Sequence, residues 1–339
     1  MSNTAIVRKI GDVPVPSIGF GAMSVSGSFY GGAVESDEER YKLLDAAYES
    51  GCTHWDTANM YNDSEELIGK WFKRTGNRNK IFLATKCGFQ RTPDGAIVNC
   101  KPEYIKACCE ESLNRLGVDT IDLYYLHRAD KTVPIEHSVG ALVELLKQGK
   151  IKYLGLSEVS EATLRRAHAV HPIAALQIEY SPFVLDVERE DIGLWKACRE
   201  LGIAIVAYSP LGRGLLTGRY KGPEDFAQDD ARRYFPKFSK ENFPNILQLV
   251  DKLNTIGERH GATSGQITLA WLVAQGNNIY PIPGTRSVQY LKENAGAMHV
   301  KLSPEEVKEI RVLVEGCELK GGRTPVAYEG VNLADTPPL

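Results

Sequence analysis

Short apolar runs alternate along the chain with longer stretches in which apolar residues recur every three or four positions. The first run, Ile18-Gly19-Phe20-Gly21-Ala22, reads as a strand, and a helix is expected over Asp37 to Ser50, with Ser36 as its cap, Glu39 three residues on and Gly51 as its stop. The alternation continues. Thr53–Asp56 pairs with Ser64–Lys73, Ile81–Thr85 with Pro102–Leu116, and Ile121–Leu126 with Ile135–Gln148. Ile151–Leu156 is followed by Glu161–Val170, and Ala174–Ile178 by Glu190–Leu201. Ile203–Ala207 precedes Ile246–Arg259 and Ser264–Ala274, and Ile279–Ile282 precedes Val288–Asn294. Eight strand–helix pairs with continuously apolar strands imply a parallel sheet covered by helices, and eight is the number that closes a (β/α)8 barrel. An open doubly wound sheet is the rival, but the first strand–helix junction lacks the Gly-x-Gly-x-x-Gly fingerprint.

Around that α/β core, Ile6–Val15 with Gly11-Asp12 at its centre reads as a β-hairpin plugging the amino-terminal end, and Ser303–Glu315 as an extra carboxyl-terminal helix. We therefore expect one domain over 1–339, with a core of about 18–315 and frayed last residues; the tail over 318–339, with Gly321-Gly322-Arg323 and Tyr328, could either fold over the barrel mouth and shape specificity or stay loose. Two connections are long, Ser24–Ala33 and Tyr208 to about Asn245, and such lengths suit a lid or a ligand clamp.

Composition narrows the function more than the fold. With 40 basic and 43 acidic residues the net charge is -3, so no basic footprint marks a nucleic-acid or membrane partner. Seven cysteines without a Cys-x-x-Cys pair or zinc spacing suggest neither a disulfide framework nor a metal site, and reduced thiols point to the cytoplasm. The start of the chain lacks the apolar stretch of a signal peptide, and no run reaches the length of a membrane span. Oligomeric state is not fixed by these quantities.

In a barrel the chemistry gathers at the carboxyl ends of the strands. Asp56 ends the second strand, Lys86 the third and His127 the fourth, and Tyr61 follows Asp56 closely enough to reach the same mouth. Each alone has a plain structural role available, as a cap, a rim cation or a core histidine; their succession at neighbouring strand ends favours a site.

The motifs Gly19-Phe20-Gly21-Ala22-Met23, Asp56-Thr57-Ala58 with Tyr61, Ala84-Thr85-Lys86, Tyr124-Tyr125-Leu126-His127, Gly155-Leu156-Ser157, Gln177 with Glu179-Tyr180, Tyr208 to Gly214 and Ile282 to Arg286 resemble the aldo-keto reductase superfamily. The resemblance spans Ile18 to Asn294, and the branch it suggests is that of aryl-alcohol and pyridoxal-type reductases. It implies a catalytic tetrad of Asp56, Tyr61, Lys86 and His127, reducing aldehydes and ketones to alcohols. A carbonyl that accepts hydride becomes an alkoxide and needs a proton donor. Tyr61 would be that donor, its pKa brought down by Lys86, with Asp56 holding Lys86 charged and a neutral His127 orienting the substrate oxygen.

The resemblance also implies NADPH/NADP+. Ser157, Glu158 and Gln177 would hold the nicotinamide amide and Tyr208 its ring, with Gly21, Met23 and Asp56 nearby. Ser209, Pro210, Leu211, Gly212, Arg213, Gly214 and Gly218 would approach the pyrophosphate. Gly284, Thr285, Arg286, Gln289, Glu293 and Asn294 would take the adenosine end, Arg286 at the 2′-phosphate. Departures from the family are Glu158 in place of a common asparagine, Asn62 in place of a glycine, and Gly284 and Tyr290 where many relatives carry cations. Phe29, Tyr30, Phe89 and Arg128, with Tyr61 and His127, would line the substrate rim: apolar rings suited to aromatic or aliphatic aldehydes, with Arg128 open to a carboxylate or phosphate.

Two other classes compete with the reductase. Potassium-channel beta subunits resemble the same family and act as redox-sensing, NADPH-binding regulatory partners, although no partner-binding extension is evident here. A Schiff-base aldolase using Lys86 is opposed by Asp56, which would keep the amine protonated.

Overall fold

The computed structural model describes residues 6–26, 30, 33–93, 95–325 and 330–339. Among these, eight strands form one all-parallel sheet in the order β12-β11-β10-β9-β8-β5-β4-β3. They are β3 (Phe20–Gly21), β4 (His54–Asp56), β5 (Phe82–Cys87), β8 (Ile121–Leu126), β9 (Ile151–Ser157), β10 (Ala175–Glu179), β11 (Ala204–Tyr208) and β12 (Ile279–Pro281). The first and last strands meet, because the Gly19 amide donates to the Pro281 carbonyl at 2.9 Å and that of Gly21 to Pro283 at 3.2 Å. The sheet therefore closes as a (β/α)8 barrel. Glycine is required at this seam, since a Cβ on Gly21 would lie 2.7 Å from the Ile282 carbonyl oxygen.

Helices α1 (Asp37–Glu49), α2 (Ser64–Thr75), α3 (Pro102–Leu116), α4 (Ile135–Lys147), α5 (Glu161–Val170), α6 (Leu194–Leu201), α7 (Phe243–His260), α8 (Ser264–Ala274) and α9 (Val288–Gly296) surround it, and α10 (Pro304–Glu315) follows as the extra helix. Ser36, Ser160, Thr263, Ser287 and Ser303 each accept an amide at a helix start. Helix α6 begins at Leu194 instead of Glu190, because Gly193 sits in the left-handed region and breaks any earlier turn.

The amino-terminal hairpin, β1 (Val7–Ile10) and β2 (Val13–Pro16), packs Ile10 and Val15 onto Phe82, Leu123, Tyr125 and Tyr280 at the barrel floor. Arg8 fastens it by donating to the carbonyls of Val273, Gly276 and Ile279, at the end of α8 and the start of β12. A second hairpin, β6 (Phe89–Thr92) with β7 (Gly95–Val98), rises beside the mouth after β5 and is a feature the periodicity did not reveal. The long connection after β11 is a chain of 3-10 turns between Gly212 and Phe238. Among the described residues, no helix is long and apolar enough to cross a membrane.

The end of the chain corrects the expectation of fraying. The Ala334 amide donates to the Glu158 carbonyl, the Ser160 amide donates to the Ala334 carbonyl, and Arg166 donates to the carbonyls of Thr336 and Pro337. Asp335 accepts from the hydroxyls of Ser160 and Thr163 at the start of α5, where the helix dipole favours a carboxylate. Upstream, Asn242 pairs with the backbone of Lys320, and Asn245 donates to the Glu318 carbonyl. The described tail is thus fastened at two places, at the start of α7 and at the start of α5.

Candidate active site

The mouth is built where strand ends bring polar side chains above an apolar barrel. Asp56 and Lys86, from neighbouring strands, form a buried ion pair, with side chains 2% and 0% exposed. The Lys86 ammonium donates also to the Thr57 carbonyl at 2.7 Å and lies 5.0 Å from the centre of the Tyr61 ring. Gln177 on β10 donates to the second Asp56 oxygen at 2.7 Å, so both oxygens of this carboxylate are engaged. On the other side of Tyr61, the His127 ring stands edge-on at 5.8 Å between centroids, and Phe89 meets the same imidazole at 4.9 Å. The four residues expected together from the sequence are together.

Their electrostatics separate the roles. Burial alone would lower the Lys86 pKa, but the Asp56 carboxylate and the Tyr61 phenol more than offset it and hold it above the ordinary lysine value. An amine so charged is a poor Schiff-base nucleophile. Burial, aided by Lys86 and Arg128, pushes His127 well below the usual imidazole range, so the ring is neutral, and its Nδ1 is buried without a hydrogen-bond partner. Tyr61 departs from expectation: burial raises its phenol and outweighs the lowering by Lys86, so the hydroxyl keeps its proton. A neutral phenol between an ammonium and an imidazole can hand a proton to an oxygen placed above it.

The opposite half of the mouth holds the residues expected around a nucleotide. Ser209, Gly212, Arg213, Gly214 and Gly218 all adopt positive φ, between 50° and 94°. Successive left-handed residues turn backbone amides toward one side, an arrangement that suits an anion. Gly284 is exposed, and a Cβ there would lie 2.7 Å from the Gly21 carbonyl oxygen. Arg286 and Gln289 are exposed, and Arg286 borders a cavity of about 330 Å³ with Val25, Glu35, Arg40 and Val288. Asn294 is buried, Thr285 accepts from the Ser287 amide, and Glu293 accepts from Thr263. Pro210 and Leu211 are buried beneath the left-handed run, and Met23 lies half-buried in the turn after β3.

The Aldo/keto reductase family pattern matches residues 17–315, the whole of the barrel. The chain belongs to the aldo/keto reductase family. It is 59% identical over 336 residues to aldo-keto reductase str7 of Strobilurus tenacellus and 50% identical over 336 residues to aldo-keto reductase yakc [NADP(+)] of Schizosaccharomyces pombe, each alignment covering 98% of both chains. Among solved structures, the glycerol dehydrogenase AKR11B4 from Gluconobacter oxydans superposes with a TM-score of 0.84 at 28% identity, covering 95% of this chain and 98% of that one.

Within this aldo/keto reductase, the departures from the family have structural answers. Asn62 has φ 43°, a left-handed conformation that favours glycine and that asparagine tolerates better than most residues. Its side chain accepts from Arg91 at 2.9 Å. Glu158, also at positive φ, does not face the mouth with a free carboxylate: Arg323, Tyr208 and the Glu179 amide occupy it. Gln177 spends its amide donor on Asp56, and the Ser157 hydroxyl accepts from Arg128 at 3.4 Å. Tyr30, expected on the substrate rim, has its hydroxyl 3.1 Å from Arg213, joining the loops after β3 and β11. Phe29 lies outside the described residues. Phe89 and Arg128 are half-buried at the mouth beside His127. Arg323 stood out in the sequence only as part of a tail that could cover the mouth; its pairing with Glu158 was missed, because the two are 165 residues apart, Arg323 lies outside every strand and helix, and no spacing rule links them. Tyr328 of the same tail lies outside the described residues.

Proposed function

We propose that this oxidoreductase is an NADPH-dependent carbonyl reductase that converts aldehydes or ketones to alcohols with Tyr61 as the proton donor. The observation that carries this reading is the buried Lys86–Asp56 pair beneath the Tyr61 ring, with a neutral His127 across from it. A bound nicotinamide supplies hydride, which no side chain can. The chain's own residues do the rest. Tyr61 gives its proton to the developing alkoxide, and Lys86 stabilises the phenolate left behind. Asp56 keeps Lys86 charged, and Gln177 keeps Asp56 in place. His127 offers a neutral ring that can direct the carbonyl oxygen toward the phenol.

The five left-handed residues between Ser209 and Gly218 and the cavity beside Arg286 fit a dinucleotide: amides for the pyrophosphate, a guanidinium for a 2′-phosphate. The test is NADPH oxidation, read as loss of near-ultraviolet absorbance, over aromatic, aliphatic and cyclic carbonyls including pyridoxal. Turnover on some member should fall by about 10²-fold or more in Tyr61→Phe, with NADPH binding retained. Turnover that survives the substitution would remove Tyr61 from its role. Tight NADPH binding with no turnover on any carbonyl would favour a redox-sensing regulatory subunit.

A further inference from the structure

Among the described residues of the carboxyl-terminal tail, Arg323 brings its charged group into the mouth as part of a built network. Its side chain is 9% exposed. One guanidinium nitrogen lies 2.5 Å from Glu158 Oε2 and the other 3.0 Å from Oε1, a two-point pairing of planar groups. Glu158 is fully buried at the end of β9. Its Oε1 accepts in addition from the Glu179 amide at 3.1 Å and from the Tyr208 hydroxyl at 2.8 Å. Three of the four donors converge on Oε1 and one on Oε2, so the buried carboxylate is held from several sides inside this network.

Tyr208 is the last residue of β11 and directly precedes the left-handed run. It is half-buried, while the four residues before it are buried. Several contacts flank this position. Gly321, at φ 94°, passes so close to Pro236 that a Cβ would lie 2.5 Å from the proline side chain, and Asn242, Asn245 and Ser160 hold the chain on either side. Burial alone would raise the Glu158 carboxyl, but the Arg323 guanidinium more than offsets this and keeps it below the ordinary glutamate value.

We infer that Arg323 is a positioning residue of the cofactor site: through Glu158 it fixes the Tyr208 phenol, and with it the wall against which a nicotinamide ring would rest. The inference rests on the NADPH reading above. On this view the carboxyl-terminal tail completes the cofactor pocket, and Glu158 serves as a hub holding the pocket wall.

The experiment is a double-substitution cycle on the full chain, with the NADPH dissociation constant read by nicotinamide fluorescence. Arg323→Ala should weaken NADPH by about tenfold or more, Arg323→Lys should recover part of the loss, and Tyr208→Phe should remove most of the effect of Arg323→Ala. A merely structural arginine would lower thermal stability and leave the coupling with Tyr208 near zero. Unchanged NADPH affinity in Arg323→Ala, or strictly additive effects of Arg323→Ala and Tyr208→Phe, overturns the inference. If the unsubstituted protein binds no NADPH, the reductase reading fails first, and the two failures are told apart.

Discussion

The two halves of the barrel mouth each contain a buried carboxylate joined to a cation, yet they are made differently. Asp56 and Lys86 come from adjacent strands, 30 residues apart, and face one another because the parallel register of β4 and β5 places them there. Glu158 and Arg323 come from a strand end and a tail, and meet only because the tail is stitched at several points on the way. The first pair is a property of the sheet; the second is a property of the completed chain. Their surroundings differ as well. Lys86 has one acidic neighbour, Asp56, with the Thr57 carbonyl and the Tyr61 phenol beside it, whereas Arg323 also faces Asp186 at 3.4 Å and Glu179 at 3.8 Å.

That contrast predicts unequal costs when either carboxylate is removed. Asp56→Ala strands an ammonium in a dry site and should destabilise the fold by about 3–5 kcal/mol in urea unfolding. Glu158→Ala leaves Arg323 with two other acidic neighbours and should cost clearly less. Equal losses would break the comparison. The double substitution Asp56→Leu with Lys86→Met should recover much of the lost stability with no turnover, which separates the structural burden of the pair from its chemistry.

A third buried group sharpens the picture from below. His54, on the same strand as Asp56, is fully buried, both its ring nitrogens lack hydrogen-bond partners, and burial lowers its pKa to about 4. Because the folded value lies below the unfolded one, the neutral ring stabilises the fold fully above about pH 6.5, and this contribution is lost as the pH falls toward 4. A depression of that size corresponds to about 3 kcal/mol. The urea midpoint should drop steeply over this range, and His54→Leu should flatten the drop; an unchanged slope would show that the imidazole is not what the acid limb reports. The smallest effect concerns the nucleotide end. Arg286→Ala should weaken NADPH by about tenfold or more while changing NADH little, as measured by half-saturation with each cofactor. Equal changes would remove Arg286 from the 2′-phosphate.

How much of this was legible in the sequence follows the same division. The strands were readable because both faces of a parallel barrel are covered, so Ile121–Leu126 runs apolar but for Asp122 and Phe82–Leu83 without interruption, and Asp56, Lys86 and His127 stand out as the polar residues that end such runs. The hairpin β6–β7 escaped because it is mostly exposed and carries no apolar alternation, although Pro93-Asp94-Gly95 has the composition of a turn. A tail folded over the mouth was one of two readings of residues 318–339, and the sequence did not choose between them because the attachments are backbone amides, carbonyls and a few side chains with no period to detect. The Tyr61 phenol was misjudged because a sequence shows that Lys86 is near but not how thoroughly the mouth is desolvated, and desolvation wins. Glu158 was recognised as unusual, and its partner was not, since nothing local announces that a guanidinium 165 residues later will return to it.

The position of Arg323 near the end of the chain has a consequence in time as well as in space. During synthesis the strands that carry Asp56 and Lys86 emerge close together, and that pair can form as soon as β4 and β5 align. Glu158 is made before the middle of the chain, yet its counter-charge leaves the ribosome only after α10. Until then the finished wall beside Tyr208 does not exist. A polypeptide cut short anywhere between α10 and Arg323 would hold every strand of the barrel and all four residues around Tyr61, and would still carry an acid at the heart of its mouth with its counter-charge missing.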